Sequence, residues 1–271
     1  MMLGARTGAW AKSGGWVNPY VTDGLIAMWD GEWNGGVIGE HISNANQFVD
    51  IVNGAVAIPE FDLSFGDNYA YAEKFRLASD AAIGAKIVRL KNEGKLSVEM
   101  VFKSSTSAIN TAVYYCEDLE NNYYDFYEFN NAVNSVTQSN KLYGVTDVVF
   151  VNPSTLIGVF SNTTYQFFAV NKIRESNYRY DYKISNKDIG VLLSGSSSIT
   201  KSPMSSYPVD FYLGQGHRQG EKAWTWNSTY NCYTCGELYL YCIRFYERLL
   251  TAIEVESNYS VDVERFGLPE I

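Results

Sequence analysis

The sequence is poor in the residues that build a disulfide framework or a histidine-based active site. It has four cysteines, Cys116, Cys232, Cys235 and Cys242, and only two histidines. Cysteines this few and this unevenly spaced argue against a disulfide-rich scaffold. Two histidines give no recognisable Ser-His-Asp arrangement, and no glycine-rich phosphate loop opens a helix.

Long apolar runs and positive charge are also scarce. No stretch approaches the roughly 20 apolar residues of a membrane-spanning helix, and the first 16 residues contain no signal-peptide core. Lys and Arg number 21 against 30 Asp and Glu, a net charge of −9, so the basic stripe of a nucleic-acid binder is missing. We expect neither membrane insertion nor a nucleic-acid partner. The protein would stay in the cell, leave it without a cleaved signal, or be a shortened chain, and the compartment is left open.

Aromatic residues are abundant. They make up 15% of the chain, with 21 Tyr against 14 Phe, and apolar residues reach 46%. This composition supplies an ample core, and the polar tip of Tyr suits half-wet strands and exposed binding surfaces. Neither a repeat nor a composition shift divides the chain. We therefore predict an arm or linker over residues 1–20, rich in Gly, Ala and Ser, and a single domain over residues 21–271.

Short strand-like segments recur about every 8 to 12 residues, separated by Asn- and Pro-containing turns, which predicts an antiparallel β-sandwich or barrel. Residues 73–85 are ambiguous, with helical composition interrupted by a glycine. The last strand has apolar side chains on both faces, which predicts that both faces are covered. The predicted strands are residues 25–30, 55–58, 61–65, 69–72, 96–103, 112–116, 123–129, 145–151, 156–160, 165–170, 178–184, 209–213 and 237–246.

One helix is predicted near the C-terminus, at residues 251–264. Thr251 and Glu254 have the spacing of a capping box, in which each side chain satisfies a backbone N–H at the helix start. Gly267 and Pro269 would end it. The side chains expected to pack on the sheet are Ala252, Val255 and Tyr259.

Four motifs carry a family resemblance. They are Gly24-Leu-Ile-Ala-Met-Trp-Asp-Gly31, Leu96-Ser-Val-Glu-Met-Val-Phe-Lys103, Asp210-Phe-Tyr-Leu-Gly-Gln-Gly216, and Gly236-Glu-Leu-Tyr followed by Ile243-Arg-Phe-Tyr-Glu-Arg-Leu-Leu-Thr251 and Asn258-Tyr259. Together they resemble the laminin-G-like, concanavalin A-like lectin-glucanase superfamily, over roughly residues 21–268.

The resemblance implies an all-β, two-sheet antiparallel jelly-roll β-sandwich with a short C-terminal helix. Similar domains are commonly non-catalytic carbohydrate-binding or adhesion modules of bacterial surface proteins and phage particles, which suggests an extracellular, cell-surface or virion location. Other members are glycoside hydrolases or purely structural modules. The hydrolytic relatives carry paired carboxylates in an E-x-D-x-E type motif, which this sequence lacks. We therefore expect no enzymatic activity.

The resemblance also indicates where a ligand would bind. In such jelly rolls the first and last strands pair antiparallel, which would bring loop 31–46 beside loop 214–235. Flat rings and polar donors on these loops suit a sugar. In the alternative interpretation, Trp224 and Trp226 plug the end of the sandwich or a subunit contact. The candidate carbohydrate-binding residues are Trp33, His217, Arg218, Trp224, Trp226 and Tyr230.

Metal sites have less support. Calcium is frequent in the relatives, and Asp30, Asp147 and Asp181 are conceivable ligands, but no D-x-D-x-D loop is present. Cys232 and Cys235 could form half of a zinc site or a redox pair. Because zinc needs four ligands and a redox pair needs a helix N-terminus, ordinary thiols or one incidental disulfide are favoured.

The sequence thus favours a non-catalytic, lectin-type carbohydrate-binding or adhesion module, with a glycan as partner and no certain cofactor. The alternative is a structural or host-adhesion component of a phage particle or other multimeric assembly, which would contact itself or other subunits. A glycoside hydrolase is the third hypothesis.

Overall fold

The computed structural model describes most strands, both helices and the loops between residues 17 and 59. Its side chains are described for residues 17–57, 63–71, most of 82–103, and 239–268. The described backbone covers residues 11–12, 15–59, 63–72, 76–79, 81–104, 110–118, 123–130, 135–142, 145–150, 166–174, 178–186, 192–199, 210–214, 226–227, 232–233 and 238–268.

Most of the described segments are β-strands. Two helices interrupt them, α1 (Ala81–Glu93) and α2 (Ala252–Phe266). The strands are β1 (Ala11–Lys12), β2 (Gly15–Trp16), β3 (Leu25–Asp30), β4 (Phe48–Val49), β5 (Val56–Pro59), β6 (Ser64–Phe65), β7 (Ala70–Ala72), β8 (Arg76–Ser79), β9 (Lys95–Ser104), β10 (Asn110–Asp118), β11 (Tyr123–Asn130), β12 (Ser135–Leu142), β13 (Val145–Phe150), β14 (Gln166–Arg174), β15 (Tyr178–Asn186), β16 (Leu192–Ile199), β17 (Asp210–Gly214), β18 (Trp226–Asn227), β19 (Cys232–Tyr233) and β20 (Leu238–Tyr246).

Two large sheets form the body of the molecule. Sheet I has the order β13-β12-β11-β10-β17-β8-β5-β4, and sheet II has the order β16-β15-β14-β9-β20-β7-β6, with β3 also paired to β20. The strand pairs within both sheets are antiparallel. The predicted two-sheet jelly-roll β-sandwich with a C-terminal helix is confirmed.

Along one of its edges, strand β20 pairs with two different strands, one for each half of its length. Its first half pairs with β7, from Leu238↔Ala72 to Leu240↔Ala70, and its second half pairs with β3, where Cys242 lies opposite Asp30. Strand β9 covers the other edge along the full length. The predicted antiparallel pairing of the first and last strands is therefore confirmed, but the end of β3 lies beside the middle of β20, and β7 occupies the position beside its start where the end of β3 was expected.

The two faces of sheet II differ in polarity. On β9, the predicted apolar set Leu96, Val98, Met100 and Phe102 is buried, but Glu99 on the opposite face is buried as well. Strand residues alternate between faces, so both faces of β9 must be covered. Helix α2 lies on the polar face, because Asn258 donates to Glu99 at 2.7 Å.

The capping box of α2 is confirmed. The Thr251 hydroxyl accepts from the backbone N–H of Glu254 at 3.3 Å, and the Glu254 carboxylate accepts from the N–H of Thr251 at 2.8 Å. Gly267 ends the helix with φ +65°, and its N–H donates to the carbonyl of Val263. This left-handed conformation is open to glycine at little steric cost.

The buried face of α2 agrees with the prediction at two of three positions. Val255 and Tyr259 are buried against the core, whereas Ala252 is exposed. The prediction for Ala252 was wrong, because the first helical residue lies on the solvent side of the helix.

Replacing Thr251 by Ala is expected to lower the free energy of unfolding by about 1 kcal/mol, because one backbone N–H of the first turn loses its acceptor. Urea unfolding followed by circular dichroism measures the change. Ser257→Ala, on the exposed side of the same helix, is the matched control and should leave the midpoint almost unchanged. Equal midpoints for Thr251→Ala and the unmodified protein would contradict the cap's contribution.

The structure clarifies the ambiguous segment and adds elements. Residues 73–85 contain β8 and the start of α1, which ends before Gly94 at φ +69°. Strands β12 and β16 were not predicted, and the predicted strand 156–160 lies outside the described residues.

Neither described helix combines the length and apolar character needed to span a bilayer.

Candidate functional site

Loop 31–46 begins beside the middle of β20, rather than beside its start as expected from the pairing of the first and last strands. The N–H of Gly31 donates to the carbonyl of Tyr241 in β20 at 2.8 Å. A side chain on Gly31 would meet the backbone of Tyr69 at 2.3 Å, so this position requires the close approach that only glycine allows. The loop and the turn before β7 therefore pack directly against each other.

Trp33, a predicted sugar-binding residue on this loop, is buried. Its side chain is 4% exposed, and the Arg265 guanidinium lies 3.7 Å from its ring centroid. The face of the ring is therefore occupied by the Arg265 side chain of the same protein.

The other candidates lie mostly outside the described side chains. Trp226 belongs to β18, where it is directly opposite Tyr233 of β19, and Cys232 is opposite Asn227. The remaining candidates outside the described residues are His217, Arg218, Trp224 and Tyr230, together with Cys235 of the cysteine pair.

The calcium candidates lie on three different strands. Asp147 lies in β13 and Asp181 in β15, and their side chains are outside the described set. Asp30 is fully buried, and its two carboxylate oxygens accept from Arg265 at 2.7 and 2.8 Å. A cation at Asp30 would have to displace Arg265. Among the described residues, no group of three or more His, Cys, Asp or Glu side chains is placed to hold a metal.

A row of polar-tipped side chains crosses sheet II next to the start of β20. The row consists of Ser64, Tyr71, Tyr239 and Lys103, and we call it the tyrosine row. Ser64 is opposite Tyr71, Tyr71 is opposite Tyr239, and Tyr239 is opposite Lys103, so the four residues lie in register on one face of four adjacent strands. Ser64 is exposed and the other three are partly exposed.

The two tyrosine rings of the row stand side by side. Their centroids are 4.7 Å apart with an interplanar angle of 34°, and the Lys103 ammonium lies 4.9 Å from the Tyr239 ring centroid. Neighbouring strands are about 4.8 Å apart, so each ring faces the next side chain along the row. Hydroxyl groups and an ammonium group are therefore the polar chemistry of this surface.

Further aromatic contacts hold the row in place. The Tyr69 ring meets Tyr239 edge-on at 5.2 Å and Tyr241 at 5.6 Å. Tyr241 in turn meets Phe266 of α2 at 5.6 Å. The rings form a continuous chain from α2 to Tyr239, which restricts the orientation of that ring within the row.

A buried charge cluster lies under α2 on the same face. Arg244 is completely buried. It donates to Glu99 at 3.1 Å and to both oxygens of Asp262 at 2.9 and 2.6 Å, and the Tyr20 ring covers its guanidinium at 4.0 Å. The members of this polar cluster are Tyr20, Asp30, Glu99, Arg244, Asn258, Asp262 and Arg265.

Tyr20 and Arg265 close the cluster. The Tyr20 hydroxyl donates to Asp262 and accepts from Arg265, both at 2.7 Å. Arg265 also donates to Glu32 at 2.7 Å. Burial, acting more strongly than the nearby arginines, raises the pKa of Tyr20 well above its ordinary value. The last residue of the predicted N-terminal arm is thus part of the buried structure.

Glu99 is the least satisfied member of the cluster. Its Oε2 accepts from Arg244 and Asn258, whereas its Oε1 has no hydrogen-bond partner among the described residues. Burial raises its pKa to about 7, with a smaller lowering effect of Arg244 and a smaller raising effect of Asp262. The cluster has a structural role, because its members are almost completely enclosed.

Sequence reasoning missed both the tyrosine row and the polar cluster. The signal for the cluster was present, since Glu99 and Arg244 are single charges inside otherwise apolar strand motifs. The row had no comparable signal, because it depends on β7, rather than β3, pairing with the first half of β20.

Comparisons with known proteins identify the fold. Neither a protein-family model nor a curated protein sequence matches the chain. Among solved structures, the binding domain of botulinum neurotoxin serotype D matches with a TM-score of 0.59 and 12% identity, over 91% of this chain and 55% of that chain. The binding domain of botulinum neurotoxin DC in complex with SialylT matches with a TM-score of 0.55 and 7% identity, over 88% and 52%.

A third similar structure concerns the cell entry of botulinum neurotoxin type C, which depends on interaction with two ganglioside molecules. It matches with a TM-score of 0.54 and 10% identity, over 87% of this chain and 51% of that chain. The chain therefore spans about half the length of these three structures. At these identities the similarity shows a shared jelly-roll fold, and membership of the laminin-G-like group stays a prediction.

Proposed function

We propose that the protein is a non-catalytic carbohydrate-binding module of lectin type. The observation that carries this proposal is the tyrosine row, in which partly exposed Tyr71 and Tyr239 stand in register between Ser64 and Lys103. Ser and Tyr hydroxyls both donate and accept hydrogen bonds, and the Lys ammonium donates. Sugar hydroxyl groups have the same dual capacity, so the row complements a saccharide.

Rigidity adds to the suitability of the row. Tyr69 and Tyr241 brace Tyr239 from the side of α2, and the strand ladder spaces the four residues evenly. A preformed surface loses little side-chain entropy when it binds, which matters for ligands that make many modest hydrogen bonds. A rigid row of four polar groups is thus suited to an oligosaccharide rather than a single sugar.

The similar structures support a binding role. They include a binding domain in complex with SialylT and a toxin whose cell entry depends on gangliosides. The lack of an E-x-D-x-E type carboxylate pair in the sequence favours binding without hydrolysis. The structural or host-adhesion role in a phage particle or other assembly stays the alternative prediction, and residues 1–20 would then mediate the assembly.

A glycan array followed by isothermal titration calorimetry tests the proposal. The double variant Tyr71→Phe/Tyr239→Phe keeps both rings but removes both hydroxyls, so we expect about a tenfold or greater loss of affinity for the glycan that binds. Tyr246→Phe is the matched control, because its hydroxyl accepts from Asn258 in the polar cluster, away from the row. Its affinity should be unchanged.

The predicted loop site is tested in the same assay. Trp224→Ala and Trp226→Ala are expected to weaken binding if loop 214–235 extends the site, and binding untouched by both would remove these two residues from it. An array without any bound glycan would overturn the proposed function. Release of reducing sugar by the protein would instead support a glycosidase.

A further inference from the structure

We infer that the tyrosine row binds an acidic oligosaccharide, with a carboxylate or sulfate group of the ligand at Lys103. This inference rests on the proposed function and names the ligand class of the same site. It depends on three features of the row: the placement of the ammonium, the neutral chemistry of the rest of the row, and the neutralisation of the nearest carboxylate on the same strand face.

The ammonium of Lys103 is placed by the sheet. Lys103 lies directly opposite Tyr239 across the β9–β20 ladder, and its Nζ is 4.9 Å from the ring centroid. The side chain is only partly exposed, so its stem packs on the ring while the charge stays at the end of the row. A cation held this way loses little freedom on pairing with an anion, and charge-assisted hydrogen bonds are stronger than neutral ones.

The opposite end of the row is uncharged. Ser64, three strands away from Lys103, lies at about 14 Å given the usual strand spacing. The row therefore presents one cation and then three hydroxyl-bearing side chains. An oligosaccharide with its acidic group at the Lys103 end and neutral sugars over the tyrosines and Ser64 matches this order.

The nearest described carboxylate on the same face of β9 does not repel an anionic ligand bound at Lys103. This carboxylate belongs to Glu99, which lies on β9 four residues before Lys103. It is fully buried and bonded to Arg244 and Asn258. Burial and the resulting high pKa further reduce its charge near neutral pH. Glu99 therefore contributes little negative charge on the side of the row where Lys103 lies.

Paired glycans separate the inference from the proposed function. The probes are hyaluronan oligosaccharides and their carboxyl-reduced forms, and chondroitin oligosaccharides with and without sulfate, so that the carboxylate and the sulfate are tested separately. We expect hyaluronan oligosaccharides to bind about tenfold more tightly than their carboxyl-reduced forms, or sulfated chondroitin oligosaccharides to bind about tenfold more tightly than the unsulfated ones. Salt should weaken the acidic ligand more than the neutral one.

Variants test whether Lys103 is the residue responsible. Lys103→Met keeps an apolar stem against Tyr239 but removes the charge, and should abolish the preference for the acidic member, whereas Lys103→Arg should keep it. Lys95→Met is the matched control, because Lys95 is on the same strand, is exposed and pairs with Glu93 away from the row. It changes the net charge equally and should leave binding unchanged.

Each outcome has a distinct meaning. Equal affinity for the acidic and neutral members, or a preference that survives Lys103→Met, would overturn the inference while leaving a neutral-glycan lectin intact. Failure of every glycan on the array to bind would overturn the proposed function as well. A preference that Lys103→Met removes and Lys95→Met keeps supports the inference.

Discussion

Replacing Arg244 by Met is expected to lower the free energy of unfolding by about 3–5 kcal/mol, because it removes one partner of a buried ion pair. Arg244 is completely buried and donates to Glu99 and to both oxygens of Asp262. Without it, two carboxyl groups from different elements are left inside the protein with no adjacent guanidinium. Urea unfolding at constant pH measures the loss.

A second arginine of the same region provides the control. Arg248 is partly exposed and pairs with Glu254 at 2.6 Å and with Asp23 at 2.6 Å. Exposed ion pairs contribute about 0–1 kcal/mol, so Arg248→Met should cost far less than Arg244→Met. Equal losses for the two variants would contradict the special role assigned to the buried arginine.

The double variant Arg244→Met/Glu99→Met separates the pair from its surroundings. A buried ion pair replaced as a whole by apolar side chains often costs little, whereas breaking it by removal of one partner costs much. We therefore expect the double variant to be more stable than the sum of the single changes predicts. Strict additivity would show that Glu99 and Arg244 do not interact.

Between about pH 5 and pH 8, the protein is expected to lose stability as the pH rises, by at most about 3 kcal/mol through Glu99. Burial raises the pKa of Glu99 from 4.5 to about 7. The folded state thus holds this proton more tightly than the unfolded state. The contribution is fully present below the unfolded pKa of 4.5 and is lost as the pH rises through about 7.

Among the described groups whose pKa shifts, none reverses this dependence in that window. Hydrogen bonds from Arg248 lower the pKa of Glu254 to about 2, so its favourable contribution is lost only at lower pH. Burial raises the pKa of Asp50, which acts in the same direction as Glu99. The groups that face Glu99 are Arg244 and Tyr246 from β20 and Asn258 and Asp262 from α2.

Glu99→Gln tests this assignment, because an amide does not titrate. Urea midpoints measured at intervals from about pH 5 to pH 8 should fall with pH in the unmodified protein and change much less in the variant. Glu254→Gln is the matched control. It should lower the free energy of unfolding, because it weakens the helix cap and the ion pair with Arg248. It should leave the decrease of the urea midpoint with pH unchanged. Identical slopes for Glu99→Gln and the unmodified protein would assign the titration to another group.

Local sequence patterns predicted the elements that depend on neighbouring residues. The capping box of α2 needs only residues 251 and 254, and its helix end needs Gly267. Strand β3 was predicted with its observed bounds, because an apolar run between turn-forming residues is a local signal. The pairing of β3 with β20 came from the resemblance to jelly-roll domains and is confirmed.

Local composition was insufficient where tertiary packing decides. Residues 73–85 have helical composition, yet they include β8, which pairs with β5 and β17 of sheet I. Strand pairing supplies hydrogen bonds that override a weak local preference. Trp33 was predicted to bind sugar because loop 31–46 was expected to form an aromatic rim with loop 214–235, but Arg265, far away in sequence, covers its ring.

Strand β20 and helix α2 likewise combine features that local sequence determines with features that tertiary packing determines. The sequence by itself determined that both faces of β20 are largely apolar and that Thr251 caps the start of α2, since strand alternation and the cap are local. Only the tertiary structure decided that α2 covers Glu99 and Arg244, and that β7 replaces β3 beside Tyr239. A buried charge needs a partner from another element, and an in-register row needs neighbouring strands, so both follow from contacts between distant residues.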